Sequence, residues 1–224
     1  MQQNQICFRT LHLSQPWSLK TYESIGGYKV WRKILTEKTP PEQILAELKL
    51  SALRGRGGAG FPTAVKWTFI KRDAPGQKYV VCNSDEGEPG TFKDRQIFQY
   101  DPHLLIEGII CTCYAINAHH VYIYIRGEYK FFIDRVNAAI KEAYEAKIIG
   151  DKIMDKYDFK LDIVVHRGGG AYICGEKSAL IESLEGKRGH PRLKPAGKES
   201  EWFFGNPATV NNVETIASVP NIVE

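Results

Sequence analysis

The 224-residue chain has few cysteines and no pattern among them. Cys7, Cys82, Cys111, Cys113 and Cys174 are odd in number and scattered, and the Cys111-x-Cys113 pair lies in an apolar run with no histidine nearby. Neither a disulfide framework nor a four-ligand metal site is expected, and the thiols read as buried packing residues of a reducing compartment. Long hydrophobic runs are also missing. The longest, Leu104 to Ala118, is broken by Glu107, Thr112 and Asn117 and falls short of the roughly 20 residues that span a bilayer, so membrane insertion is not expected. No signal peptide opens the chain. Its first 20 residues hold no acid but only Arg9 and Lys20 as cations, too few, with too few serines, for a transit peptide. Thirty cations against 26 anions leave a formal charge of +4, which does not point to nucleic acid. Internal repeats, low-complexity segments and any Ser-His-Asp or Cys-His constellation are lacking, so hydrolysis has no support.

What remains is ordinary globular composition: 43% apolar, 25% charged and 11% aromatic residues, with a mean hydropathy of −0.32. At roughly 150 residues per domain the length allows one large domain, or a domain with a fragment. Thr39-Pro-Pro-Glu42 starts a helix in which Ile44, Leu45, Leu48 and Leu50 recur at near-helical spacing. Tyr79 to Cys82, Val121 to Ile125 and Leu161 to Val165 read as buried strands. Between and after them, Pro102 to Ala118, residues 130–147 (Phe131, Ile133, Val136, Ala139, Ile140 and Ala143 on one side) and Glu176 to Leu184 read as helices. The order βαβα with continuous apolar strands predicts an α/β fold, a mostly parallel sheet with helices on both faces.

Half of the 20 glycines sit in three loops, and ligands of open α/β sheets bind beyond the carboxyl ends of the strands. Arg54-Gly-Arg-Gly-Gly-Ala-Gly-Phe61 contains Gly55-x-Gly57-x-x-Gly60, formally a dinucleotide fingerprint. A helix precedes it where a strand should, so it reads better as a nest whose backbone N–H groups meet an anion or a flat ring, with Gly58, Arg56 and Lys66 close by. Asn83-Ser-Asp-Glu-Gly-Glu-Pro-Gly90 crowds Asp85, Glu86 and Glu88 together. Such crowding is tolerable where ligand hydroxyls and amides or a neighbouring cation satisfy the carboxylates; a hard-cation loop and a solvated turn are the rival readings. His166 to Glu176, with Gly175, follows a strand and opens a helix, and His166 reads as a packed residue. Asn211-Asn-Val-Glu-Thr215 offers amides and a hydroxyl at another helix start, suited to a phosphate or ribityl chain. Lys187, Arg188, Arg192, Lys194 and Lys198 form an acid-free loop, either solvated or attractive to a phosphate or dinucleotide. Many glycine loops with sparse acid–base machinery suit a cofactor that brings its own chemistry, a nucleotide or a flavin.

Leu53-Arg-Gly-Arg-Gly-Gly-Ala-Gly-Phe-Pro-Thr63 with Lys66-Trp67, Cys82-Asn-Ser-Asp-Glu-Gly-Glu-Pro-Gly-Thr-Phe-Lys-Asp-Arg95, Asp101-Pro-His-Leu-Leu-Ile-Glu-Gly108, Tyr124-Ile-Arg-Gly-Glu-Tyr129, Gly170-Ala-Tyr-Ile-Cys-Gly-Glu176, Ser183-Leu-Glu-Gly186 and Val210-Asn-Asn-Val-Glu-Thr215 resemble the flavin-bearing, NADH-oxidising subunit of respiratory complex I. The same module occurs in diaphorase subunits of NAD-linked hydrogenases and formate dehydrogenases. The resemblance implies a Rossmann-like FMN domain over residues 39–224, preceded by a leader over 1–38. It implies that Gly55, Arg56, Gly57, Gly58, Gly60, Lys66, Asn83, Asp85, Glu86, Tyr172, Gly175, Glu176, Asn211, Asn212 and Thr215 surround the flavin. NADH, the substrate, would then meet Phe61, Phe69 and Lys194, with Glu88 as the catalytic position near the nicotinamide. It further implies other peripheral-arm subunits as partners, above all a 2Fe–2S thioredoxin-like subunit. The location would be peripheral, on the cytoplasmic face of a bacterial inner membrane or the matrix side of a mitochondrial one, with quinone as the eventual acceptor of the complex.

Two departures from the family pattern stand out. Gly175-Glu-Lys-Ser-Ala-Leu180 replaces Gly-Glu-Glu-Thr-Ala-Leu, reversing a charge at Lys177, and Lys194-Pro-Ala-Gly-Lys198 lacks an aromatic. One lost base–aromatic stack costs roughly 1–3 kcal/mol, so FMN binding is expected to survive better than NADH binding, and a non-catalytic flavin-binding or assembly subunit is the alternative. The chain stops before the family's ubiquitin-like and iron–sulfur segments, so the family's 4Fe–4S cluster is not expected in it.

Overall fold

The computed structural model describes residues 6–193 and 201–224. Helices α1 (Leu19–Ser24), α2 (Lys29–Glu37), α3 (Pro41–Leu50) and α4 (Thr63–Thr68) precede the first strand. There follow β1 (Tyr79–Ser84), α5 (Lys93–Tyr100), α6 (Pro102–Ile116), β2 (His120–Ile125), α7 (Lys130–Glu145) and β3 (Asp162–Arg167). A 3-10 turn (Tyr172–Gly175), α8 (Lys177–Leu184), β4 (Glu201–Phe203), β5 (Asn206–Asn212), α9 (Val213–Ala217) and α10 (Val219–Val223) complete the chain. No helix among the described residues is long and apolar enough to cross a membrane.

The sheet order is β3-β2-β1-β5-β4, with β4 antiparallel to β5 and every other pair parallel. From β1 the chain steps outward twice through α6 and α7, then returns across the sheet to lay β5 on the opposite side of β1. Successive crossovers of one hand place their helices on one face when they step the same way and on the other face when they reverse. The core obeys this. Val80, Cys82, Val121, Ile123 and Ile163 join α6 and α7 in one cluster, whereas Val81, Tyr124, Ala208 and Val210 join Leu180, Ile181 and Leu184 of α8 in another. Alternate strand residues thus serve opposite faces, and the strands read as unbroken apolar runs because both faces are covered. Val164 on the edge strand β3, beyond the reach of α8, is the exposed exception.

The expected helices and strands are present with shifted ends. Pro41 at the first turn and Glu42 start α3, and Lys49 stands in its last turn; Ile44 and Leu48 are buried while Leu50 is exposed. All of α6 except Tyr114 is buried, which is why it is apolar all round. In α7 the periodic residues Ile133 to Ala143 face the core, but Phe131 is exposed, against Phe132 at 5.3 Å. The five cysteines are free and buried, and burial pushes the Cys7 and Cys82 thiols up to about 11 and about 12, as packing residues should be. Among the described residues there is no cluster of metal-ligating side chains.

Residues expected to form a leader are part of the core. Tyr22, Tyr28 and Trp31 of α1 and α2 are at most 2% exposed, and Trp31 meets Tyr114 and Phe159 edge-on at 5.8 Å. Periodicity alone could not show this, because α1 and α2 are short and hang on one buried acid. Glu107, on α6, accepts hydrogen bonds from the Tyr22 hydroxyl (2.5 Å), Tyr28 N (2.9 Å) and Trp31 N (3.2 Å). Burial raises its carboxyl above the usual range while those donors pull it back. Beside it Tyr28 Oη lies 2.8 Å from His103 Nδ1, and His103 Nε2 lies 2.9 Å from Glu142. Glu107→Ala strands three donors at roughly 1–3 kcal/mol each, so urea titration should show a loss of about 3 kcal/mol or more, with Glu107→Gln losing less. An unchanged urea midpoint in Glu107→Ala would show that α1 and α2 are not anchored there.

Candidate functional site

Between β1 and β5 the strand order reverses, and beyond their carboxyl ends lies a cavity of about 420 Å³. This is where open α/β sheets bind ligands, and the size suits a cofactor-sized molecule. Four segments wall it: the glycine loop, the loop after β1, the Tyr172–Gly175 turn with Glu176, and the junction of β5 with α9.

The glycine loop is a closed turn between α3 and α4. Gly55 N donates to Phe61 O (2.8 Å) and Thr63 N to Leu53 O (2.9 Å), and Arg54 Nη1 closes on Gly60 O (3.0 Å). Gly58, at φ +106°, adopts a conformation that side-chain-bearing residues avoid. Arg56 N donates to Thr215 Oγ1 (2.8 Å), and a Cβ on Gly57 would meet Asn212 Cβ at 3.4 Å. The loop therefore rests on the start of α9, and it is no strand-to-helix fingerprint.

The crowded acids divide their work. Glu86 is 7% exposed and accepts from Asp94 N (2.9 Å), Arg95 N (3.4 Å) and the Tyr129 hydroxyl (3.3 Å), so it caps α5. Glu88 accepts the Tyr172 hydroxyl across the cavity mouth. Asp85 is tuned instead of paired: burial pushes its carboxyl up to about 6, Glu128 adds to the rise and Arg126 opposes it. Its Oδ2 is buried and finds no hydrogen-bond partner among the described residues. Asn83 holds this corner, donating to Gly175 O (2.9 Å) and accepting from Asp85 N (3.1 Å). Glu176 caps α8 through Ser178 N (2.8 Å) and Ala179 N (3.0 Å).

Of the expected cofactor residues, Arg56, Gly57, Gly58, Asn83, Asp85, Glu86, Tyr172, Gly175, Glu176 and Asn212 line the cavity, as does Glu88. Gly55, Gly60, Lys66, Asn211 and Thr215 are outside the lining and act beneath it. Lys66 Nζ donates to Val210 O, and Trp67 Nε1 to Asn211 Oδ1 (3.3 Å), tying α4 to β5. Phe61 and Phe69 form an exposed pair at 5.9 Å, away from the cavity lining. Lys194, Lys198 and the departure between them lie outside the described residues. Two cations of the loop are paired: Lys187 with Glu185 (2.8 Å), and Arg192 with Glu182 of α8 and with Glu185 just past its end (2.9 Å). His166 stacks on Tyr124 at 5.3 Å, a packed residue as expected.

Thr91, Lys93, Asp94 and Ile173 also line the cavity; they stand inside the family-like stretches Cys82 to Arg95 and Gly170 to Glu176 but are not among the residues expected to meet the flavin. Lys93 Nζ donates to Asp94 Oδ1 (2.6 Å) and Asn212 Oδ1 (2.9 Å) and lies 3.2 Å from Glu214. Asn212 in turn donates to Asp94 Oδ2 (2.7 Å) and caps α9 by accepting from Glu214 N (3.0 Å). Burial pushes Asp94 up to about 6 against the pull of Lys93. The available signal is Pro89-Gly90 as a turn before a new helix, but α5 carries too few apolar residues to announce itself.

Residues 48–221 match the family described as the Nuo51 FMN-binding domain. The chain is 51% identical over 218 residues to the second F subunit of the NADH-quinone oxidoreductase of Rhizobium meliloti (strain 1021), covering 97% of this chain and 51% of that protein. To the corresponding F subunit of the Aquifex aeolicus (strain VF5) NADH-quinone oxidoreductase it is 54% identical over 206 residues, covering 92% and 47%. It thus spans about half the length of the curated relatives it matches. Among solved structures, the air-oxidised NAD+-reducing nickel–iron hydrogenase superposes with a TM-score of 0.76 at 36% identity, over 99% of this chain and 34% of that one. The H2-reduced state gives 0.73 at 42% identity, over 82% and 31%. The match takes in all four segments that wall the cavity, and this chain belongs to the family of the Nuo51 FMN-binding domain.

Proposed function

We propose that the cavity binds FMN and that the domain serves there as the NADH-oxidising module of a complex I-type NADH–quinone oxidoreductase. The observation that carries the reading is Asp85 Oδ2, a buried acceptor without a partner among the described residues, in a polar cavity at the β1–β5 switch point. A buried acceptor left unmade is costly, and an imide N–H of the kind isoalloxazine carries satisfies it. Close packing fixes this corner: a Cβ on Gly87 would meet the Tyr172 ring at 3.0 Å, and one on Gly175 would meet Asp85 O at 3.5 Å. FMN, when bound, supplies the hydride acceptance from NADH and the passage of single electrons onward.

The chain's own task is then orientation. Asp85, Asn83 and Tyr172 hold the ring end, Arg56 and the glycine loop the other, and Glu88 stands at the mouth where the nicotinamide would enter. Lys66, Asn211 and Thr215 keep these segments in place from below. Phe61 and Phe69 offer exposed aromatic faces to an adenine. Electrons leave for an iron–sulfur subunit, with a 2Fe–2S thioredoxin-like subunit as first choice, in a complex held peripherally on the inner face of the bacterial membrane or the matrix side in mitochondria. A hydrogenase diaphorase module is the second reading, favoured by the TM-score of 0.76 to the hydrogenase structure; the higher identities of 51% and 54% to the two NADH-quinone oxidoreductase proteins favour the first.

Reconstituting the purified chain with FMN should give stoichiometric yellow protein, and anaerobic NADH should bleach it. Flavin that binds but resists NADH would establish the non-catalytic alternative; failure of any flavin to bind would end the proposal. A second test uses riboflavin, which has no phosphate to titrate. Asp85 has a raised carboxyl, titrating at about 6, so it is charged above that pH and neutral below. A charged acceptor exceeds a neutral one by roughly 1 kcal/mol, and riboflavin affinity should fall about five-fold between about pH 8 and about pH 5. Asp85→Asn should be weak at both and flat. A pH dependence that survives in Asp85→Asn would assign the titration to Asp94 and remove Asp85 from the role.

A further inference from the structure

The sheet sets one residue against both flanks of Asp85. β2 pairs with β1 in a register that puts Ile125 beside Ser84, so the loops after the two strands leave the sheet together. Arg126 N donates to Ser84 O (3.4 Å), and Arg126 Nη1 donates to Glu86 O (3.0 Å). The carbonyls immediately before and after Asp85 are thus both held by Arg126. The rest of the guanidinium is fixed as well: Nε and Nη2 donate to the two oxygens of Glu128 at 3.1 and 3.3 Å, and Cζ lies 5.8 Å from the centre of the Tyr129 ring. A planar fork bonded in this way keeps one orientation.

Arg126 stands outside the cavity, which the loop after β2 does not line. That loop is packed on the loop after β3: a Cβ on Gly127 would collide with Gly168 O, and Arg167 Nε donates to Gly127 O (2.9 Å). Most titratable and charged groups around Asp85 are committed to other partners. Glu86 caps α5, Asp94 pairs with Lys93, Glu88 accepts from Tyr172 and Glu176 caps α8. The Tyr124 hydroxyl lies 2.9 Å from Ser183 Oγ, and Arg56 and Lys93 both reach Glu214. Arg126 and Glu128 act on Asp85 with opposite signs: burial lifts its carboxyl to about 6, Arg126 opposes the rise and Glu128 adds to it.

We propose that Arg126 is the positioning residue of the cavity's open acceptor: from behind the wall it fixes the peptide on each side of Asp85 and supplies the counter-charge of its carboxylate, which Glu128 limits. This rests on the flavin reading of the cavity, in which Asp85 Oδ2 accepts the imide N–H of the ring. Arg126 itself touches no ligand. A cation inside the cavity would bond the carboxylate directly and consume the acceptor, whereas one held behind a neighbouring carbonyl favours the charged form and leaves Oδ2 open. The stretch Tyr124-Ile-Arg-Gly-Glu-Tyr129, which supplies none of the residues expected at the flavin, gains its part in the site through the loop beside it.

The test is the pH profile of riboflavin affinity for the flavin-free chain, followed by flavin fluorescence, whose midpoint in wild type should lie at about 6. Losing a cation disfavours the carboxylate, so Arg126→Gln should raise that midpoint by roughly half a unit to one unit; the shift is modest because Arg126 is 30% exposed. Glu128→Gln removes an anion and should lower the midpoint. Arg126→Lys keeps the charge but not the fork, so it should restore the midpoint while leaving affinity about two- to five-fold weaker at every pH. In an Asp85→Asn background neither Gln substitution should shift anything. An unmoved midpoint in Arg126→Gln, shifts of one sign in both Gln variants, no restoration by Arg126→Lys, or a shift that persists without Asp85 would overturn the assignment. Should Arg126→Gln fail to fold, Glu128→Gln decides alone, and an unmoved midpoint there overturns it. Riboflavin that binds with any of these contrary results defeats the positioning role only, whereas failure of wild type to bind any flavin defeats the flavin reading with it.

Discussion

Everything at this site depends on β1 having a parallel neighbour on each side, reached by chain that travels in opposite directions. β2 lies beside it after one outward crossover, and β5 only after the chain has crossed the whole sheet back. The helices that follow β1 and β5 pack on one face, α9 against α5 and α6, while α8 lies on the other, and the cavity opens above the strand ends where these elements meet. The residues just past the strand ends are forced to face it. Asp85 follows β1 directly, and Asn212 closes β5 and caps α9. Cofactor binding in this domain is a product of topology before it is a product of any motif.

The gap would be a liability if its polar groups were unpaired, and the structure shows how most of them are spent. Glu86 is used on the N-terminus of α5, Glu176 on that of α8, and Asn212 on that of α9, so three walls of the cavity are helix starts closed by their own side chains. Buried helix ends are thereby satisfied without solvent. After this accounting Asp85 Oδ2 stands out, because the rest of its neighbourhood is engaged. In the acidic loop that looks self-repelling in sequence, Glu86 caps a helix, Glu88 takes a hydroxyl and Asp85 is left as the one open acceptor.

Legibility follows the local signals. β1, β2, β3, α3, α6, α7 and α8 announce themselves by apolar pattern, and most glycine and acid positions named from sequence do line the cavity. β5 is hidden because Asn206-Pro-Ala-Thr-Val-Asn-Asn212 is half polar, a sequence that works as a strand only because β1 and β4 flank it. α5 is hidden because its helix start is made by Glu86, seven residues before Lys93, a contact that no window of periodicity can register. Lys93 and Asp94 are lost with it. The packing of α1 and α2 is hidden for the same reason: Tyr22, Tyr28 and Trp31 are held by Glu107, far along the chain. Lys66, Asn211 and Thr215, grouped with the flavin by resemblance, lie outside the cavity lining and bond to Val210 O, Trp67 Nε1 and Arg56 N.

Charge shows the same limit from another side. Counting cations along the chain favours the segment beginning at Lys187 as the place for an anion, but a charge acts through its surroundings. There Glu182 of α8 and Glu185 just past its end meet Lys187 and Arg192 at contact distance. Arg192 is bound further, to Trp202 O and through its N–H to Ser178 Oγ (2.9 Å), which in turn meets Glu176. Those cations brace the helix that carries Glu176 to the cavity. Arg56 and Lys93 are fewer and share one neutralising acid, Glu214.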